Sequence, residues 1–144
     1  MFTHETKQRV RYGDTDKMGY LYYGNYPLLY EIARTEMLRS LGLTYRDMED
    51  IHGILMPVMR MDIRYIRPAY YDDLLTLKTT LREWPSSSAI FTTEIFSEAG
   101  DLLNSGTVKL CFLDKSTKQR IDTPTYLLKA IQPFFTEEDA VSGN

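Results

Sequence analysis

A chain of 144 residues is long enough for one compact domain with a sizeable core, and 43% hydrophobic with 26% charged residues is ordinary for a soluble globular protein. A formal net charge of -3 argues against nucleic acid as the partner, because that role calls for a basic stripe. No run approaches the ~20 apolar residues of a membrane span, Thr3 to Arg11 lacks the apolar stretch of a signal peptide, and the one cysteine, Cys111, allows no intrachain disulfide, so a cytoplasmic protein without membrane contact is expected.

Taken in order, Phe2 to Tyr12 alternates loosely and reads as a first strand. Gly13 to Gly24 holds three glycines and two aspartates with no sustained period, which predicts a loop. Asn25 is placed to cap a helix, and Pro27 falls in its first turn, where a missing N–H does little harm. Apolar residues then recur at Leu29, Ile32, Ala33, Met37 and Leu41, with Leu28 and Leu38 beside them. The spacing predicts a helix over Tyr26–Leu41, roughly 24 Å long, with Glu31, Arg34, Thr35 and Arg39 as its polar flank and Gly42 as its stop.

Thr44 caps a short second helix that opens Tyr45-Arg46-Asp47. After Gly53 the period becomes two: Leu55, Met59, Met61, Ile63 and Tyr65 alternate with Val58, Arg60, Asp62 and Arg64, giving a strand that Pro68 ends. Leu75, Leu77 and Leu81 mark the next strand, and Ile90–Ser97 and Leu102–Leu113 form a hairpin across Gly100-Asp101. Gly106 inside that second arm signals a bulge or a close approach of other atoms. Cys111, in the same apolar run, reads as a buried thiol and not a nucleophile. Thr123 as cap and Pro124 at the first helical position start a last short helix to about Ile131, and 136–144 reads as a frayed tail behind a single domain over 1–135.

One strand, a long helix, then four strands with short connections make an antiparallel sheet of about five strands. The helix must bury its stripe against that sheet, so the fold class is α+β, with a curved sheet wrapped around one long central helix. A single helix leaves sheet edges uncovered, and edge pairing into a homodimer is expected.

The stretch Tyr12-Gly13-Asp14-Thr15-Asp16-Lys17-Met18-Gly19 puts Asp16 seven residues ahead of Tyr23, where the helix begins. A helix start offers unpaired N–H groups and a positive dipole end, and a carboxylate beside it supplies a base or nucleophile. Such a pair can hold a carbonyl oxygen while its carbon is attacked. Asp14 reads as a turn residue that bonds nearby amides, and an isolated Asp-x-Asp could be that and no more. Further ligands at EF-hand spacing are missing, and His4 and His52 lie outside the motif, so no metal is expected. Tyr20, Tyr22, Tyr23, Tyr26 and Tyr30 serve either as core or as the lining of an acyl or aryl pocket. Met56, Met59 and Met61 read first as core filler, then as walls of a flexible apolar tunnel.

This stretch, with Asn25-Tyr26 and Ala33-Arg34, resembles the 4-hydroxybenzoyl-CoA thioesterase family of hot-dog folds. Tyr65-Ile66-Arg67-Pro68-Ala69 before Asp73-Leu74-Leu75, and Val108-Lys109-Leu110-Cys111-Phe112-Leu113-Asp114 before Thr123-Pro124, resemble its later blocks. The resemblance spans nearly the whole chain to about Ile131. It implies a hot-dog fold and an acyl-CoA thioesterase in which Asp16 is catalytic and the Tyr23 backbone N–H polarises the thioester carbonyl. Many relatives carry histidine where this chain has Tyr23; a backbone role survives that change.

By the same resemblance Gly19, Tyr22, Asn25, Tyr26, Val58 and Met59 touch substrate, the last two from a partner subunit. Coenzyme A is then part of the substrate, no separate cofactor is called for, and the assembly is a homodimer or a dimer of dimers. Arg60, Arg64 and Arg67 read as a solvated strand face or as phosphate contacts. Two other readings stand beside hydrolysis: a hydratase or dehydratase of acyl thioesters, which needs a histidine near the aspartate, and a non-catalytic acyl-CoA binding module.

Overall fold

The computed structural model describes residues 1–136, so the expected frayed tail lies, from residue 137 on, outside the described residues. Strand β1 (Phe2–Arg9) leads through a long loop to helix α1 (Tyr26–Arg39) and short helix α2 (Tyr45–Asp50). Strands β2 (Ile54–Leu55), β3 (Val58–Tyr65), β4 (Leu74–Leu81), β5 (Ser88–Phe96), β6 (Leu102–Asp114) and β7 (Arg120–Ile121) follow, and helix α3 (Thr125–Ile131) comes after them. All pairings are antiparallel, in the order β1-β4-β5-β6, with β3 pairing β6 and with β2 and β7 on the C-terminal end of β6. The five long strands are the expected ones. The two further strands hold two residues each, too few to show a period. Among the described residues no helix is long and apolar enough to cross a membrane.

Helix α1 lies on the inner face of the sheet and buries Leu29, Ala33, Met37 and Leu38 there. Each large apolar side chain so buried contributes about 1.5–3 kcal/mol. Gly42, at φ +79°, ends the helix as expected, and the Leu43 N–H returns to the Leu38 carbonyl. Leu28, however, is 52% exposed, and Arg34, expected on the polar flank, is buried. The Arg34 Nε donates to the Tyr45 hydroxyl (2.7 Å), so its stem lies between α1 and α2.

Two expected caps differ. Asn25 has helical backbone angles and makes no side-chain cap; it closes a 3₁₀ turn over Tyr23–Asn25. Thr123 does not cap α3, because its hydroxyl donates to the Ser86 carbonyl instead. Thr44 does cap α2, accepting from the Asp47 N–H at 3.1 Å. Cys111 is buried, as its apolar run predicts.

The alternation expected along β3 is broken at Met59. Val58 stands opposite Leu110 while Arg60 stands opposite Lys109, so Met59 is an extra residue in a bulge. The bulge puts Val58, and not Met59, in line with Met61, Ile63 and Tyr65. Gly106 marks a close approach: a Cβ there would run into the ring of Tyr30, which is fully buried and donates its hydroxyl to Asn104 Oδ1. Gly106→Ala is therefore expected to cost about 1–3 kcal/mol by overpacking, read from chemical denaturation. Gly13→Ala, where nothing lies within 4 Å of the new Cβ, is expected to stay within about 0.5 kcal/mol of the parent.

Candidate active site

The loop between β1 and α1 is a small folded unit. Thr15 bridges Leu21, the Asp16 N–H donates to the Tyr20 carbonyl (2.9 Å), and the Gly19 N–H donates to the Asp16 carbonyl (3.0 Å). Gly19 closes the turn at φ +83°, which favours glycine. Asp16 Oδ1 accepts from the Met18 N–H at 2.8 Å and the Tyr20 N–H at 3.3 Å. The turn thus holds one carboxylate oxygen, and Oδ2 has no hydrogen bond among the described residues. Asp14 behaves as the turn residue it was read to be: its Oδ2 accepts from the Arg11 N–H at 2.9 Å.

The loop is fastened to the helix start through the Asp14 carbonyl, which accepts both the Tyr22 N–H (2.9 Å) and the Asn25 Nδ2 (3.0 Å). The 3₁₀ turn over Tyr23–Asn25 then precedes α1. Among the described residues the Tyr23 and Gly24 amides donate to no other group, as the first N–H groups of a helical segment do. A Cβ on Gly24 would lie 2.7 Å from the Tyr22 ring, so glycine lets that ring fold over the turn.

Asp16 and Tyr23 line one cleft of about 280 Å³. Its walls are Tyr26 and Leu21 from the helix side, and Tyr65, Ile66 and Pro68 from the end of β3. Tyr65 meets Tyr26 edge-on at 5.4 Å and Tyr23 edge-on at 6.5 Å, and its hydroxyl donates to the Tyr23 carbonyl at 3.1 Å. Asp16 also borders a second, larger recess of about 500 Å³ that holds Tyr12, Lys17, Gly19 and Tyr71. The cleft walls are electrically quiet. Burial, then the neighbouring Tyr65, raises the pKa of the Tyr26 phenol. Burial pushes Tyr30 well above its ordinary range. The Tyr22 phenol is raised first by its hydrogen bond to the Tyr23 phenol, with the Asp16 charge adding to it. At neutral pH these phenols stay protonated, leaving Asp16 and the Arg67 guanidinium, 3.7 Å from Asp101, as the charges at this cleft.

The residues expected to touch substrate divide into three groups. Tyr26 lines the cleft, Tyr22 packs on Tyr23 with ring centroids 4.7 Å apart, and Gly19 borders the second recess. Asn25 does not reach the cleft: its amide is spent on the Asp14 carbonyl, and it borders a crevice near Arg11 and Leu28. Val58 and Met59 lie at the opposite end of β3 from Tyr65, roughly 23 Å away at 3.3 Å per residue, and line no cleft with Asp16 in the same chain. Neither histidine lines the cleft; His52 stacks on Tyr126 at 4.1 Å and His4 sits in β1. Tyr65, Ile66 and Pro68 belong to the cleft without having been singled out as site residues, although the block Tyr65-Ile66-Arg67-Pro68 had carried part of the family resemblance. With its amide engaged by a backbone carbonyl, Asn25→Ala is expected to cost about 1 kcal/mol in denaturation while leaving KM unchanged.

A family model described as the thioesterase-like superfamily matches residues 10–131, and the chain belongs to that superfamily. It is 31% identical over 117 residues to a putative acyl-CoA thioesterase (YneP) of Bacillus subtilis, covering 81% of this chain and 84% of that one. It is 34% identical over 106 residues to an acyl-CoA thioester hydrolase (YbgC) of Escherichia coli, covering 74% of this chain and 78% of the relative. Among solved structures it is similar to a DHNA-CoA thioesterase of Staphylococcus aureus, with TM-score 0.87, 28% identity, and coverage of 100% of this chain and 97% of that one.

Proposed function

We propose that the chain is an acyl-CoA thioesterase that cleaves the thioester to free acid and coenzyme A. The observation that carries the reading is one cleft bordered both by a carboxylate with an uncommitted oxygen and by the amide-bearing start of a helix. Hydrolysis needs those two things. The Tyr23 N–H stabilises charge on the thioester oxygen, an effect worth about 3–4 kcal/mol per donor. Asp16 Oδ2 either takes the proton of an attacking water or attacks the carbon itself, giving an anhydride that water then opens. In both routes the C–S bond breaks: in the first, Asp16 passes the water's proton to the departing sulfur, and in the second the sulfur leaves as thiolate and is protonated from water, with the anhydride-opening water restoring the balance. The two recesses that meet at Asp16 suit the two arms of a thioester, with the acyl group against Tyr26, Tyr65 and Ile66. The names of the relatives support the same chemistry. A hydratase reading has no histidine to serve as acid or base at the cleft.

The working form in this reading is a homodimer joined along β3. Both β1 and β3 are edges of the sheet, but β1 shows charged and polar residues such as Glu5, Lys7 and Arg9, which guard an edge. The other edge carries Arg60, Asp62 and Arg64, but unlike β1 it also exposes the large apolar or aromatic Val58, Met59 and Tyr65, each by about half. Two copies of β3 paired antiparallel about Met61 and Asp62 bring the partner's Val58 beside Tyr65 and its cleft, which supplies the acyl contacts that one chain lacks. Val58 and Met59 are then substrate contacts in trans.

Asp16→Asn is expected to lower thiol release from a panel of alkyl and aryl CoA esters by about 10²–10⁴, with circular dichroism and sedimentation unchanged. Full activity in that variant would remove Asp16 from the mechanism. Met59→Lys is expected to shift sedimentation from about twice the 16.8 kDa chain mass toward the monomer, with activity falling in step.

A further inference from the structure

We infer that Tyr65 is a positioning residue for the oxyanion donor; the inference rests on the thioesterase reading above. The Tyr23 carbonyl is at the mouth of the helix, and the residue four positions on is Pro27, which has no N–H to offer it. The Tyr65 hydroxyl donates to that carbonyl at 3.1 Å. The bond fixes the torsion that orients the Tyr23–Gly24 peptide, and a trans peptide points its N–H opposite to its C=O. Pulling the carbonyl toward β3 therefore sets the Gly24 amide and steadies the Tyr23 amide before it. Donation into the carbonyl also polarises that peptide and strengthens the Gly24 N–H, the amide next to the Tyr23 donor.

The geometry separates the hydroxyl from the ring. The ring forms wall contacts with Tyr23 and Tyr26, and half of Tyr65 faces solvent, so neither packing nor burial demands a hydroxyl. A phenylalanine would fill the same place. The hydroxyl acts on one peptide, the one that follows the Tyr23 N–H used by this reaction, and through the Tyr23 backbone it holds that N–H in place.

The test compares Tyr65→Phe with the parent on two non-reacting ligands. One is benzoyl-carba(dethia)-CoA, whose ketone keeps the carbonyl but has CH₂ in place of sulfur. The other is S-benzyl-CoA, which has no carbonyl. The expected result is about three- to tenfold weaker binding of the ketone, unchanged binding of the thioether, and a similar fall in kcat/KM for benzoyl-CoA. Equal binding of both ligands to parent and variant would overturn the inference, and so would equal weakening of both, which is the mark of a wall contact. If the parent itself holds the ketone no tighter than the thioether, the amide donor fails and the thioesterase reading falls with it.

Discussion

One carbonyl holds the site together. The Asp14 oxygen accepts the Tyr22 N–H from the approach to the helix and the Asn25 amide from the last residue of the 3₁₀ turn. The loop that carries Asp16 and the turn that presents the Tyr23 and Gly24 amides are thereby fixed to each other at two points on a single atom. Asp16 adds its own closure, because its Oδ1 accepts two amides of the turn it sits in. A carboxylate bound in this way gives up half its hydrogen-bonding capacity to stay in place. The remaining oxygen keeps a defined direction, and defined direction is what allows a general base or nucleophile to act. Turn residue and reactive group are here one residue with two oxygens.

The helix needs its own reference, since a tip that slides along the sheet would carry the amides out of register with Asp16. That reference is the Tyr30 ring seated on Gly106 and bonded to Asn104. Tyr30 follows Tyr26 by four residues, so both rings lie on one face of α1. Asn104 stands opposite Tyr65 in the pairing of β3 with β6. The core contact that fixes the helix and the wall contact that shapes the cleft therefore meet on neighbouring residues of one ladder. Overpacking at Gly106 and loss of the Tyr65 hydroxyl act on the same element from opposite ends.

Much of this was legible in the sequence. The period of two, the apolar stripe of α1 and the punctuation at Gly42, Thr44 and Pro68 depend on local stereochemistry, and local patterns record it. The Asp16–Tyr23 pairing was readable for a similar reason: Gly19 between them marks a turn, and a chain that turns back keeps the acid near the helix it leads into. What stayed hidden depended on partners distant in the chain. Arg34 looks like a surface residue until Tyr45 folds over it, and Thr123 looks like a cap until the Ser86 carbonyl claims its hydroxyl. The bulge at Met59 leaves no mark in the alternation, because methionine and valine both suit an apolar face. Asn25 has the composition of a helix cap, but the Asp14 carbonyl reached its amide first.

The exposed end of β3 has a physical logic that a lone chain does not explain. Tyr65 there is half exposed while its ring and hydroxyl support the helix start, and the cleft beside it is open to solvent. Apolar groups left half in water cost free energy in proportion to their area, and a second copy laid along the edge would recover it. In the proposed pairing, that copy would also press on Tyr65 and restrict it to the position that holds the Tyr23 carbonyl. Assembly and the orientation of the oxyanion donor would then be one event: the monomer would carry every reactive group and still hold its donor loosely, and the dimer would supply stiffness along with the missing acyl wall.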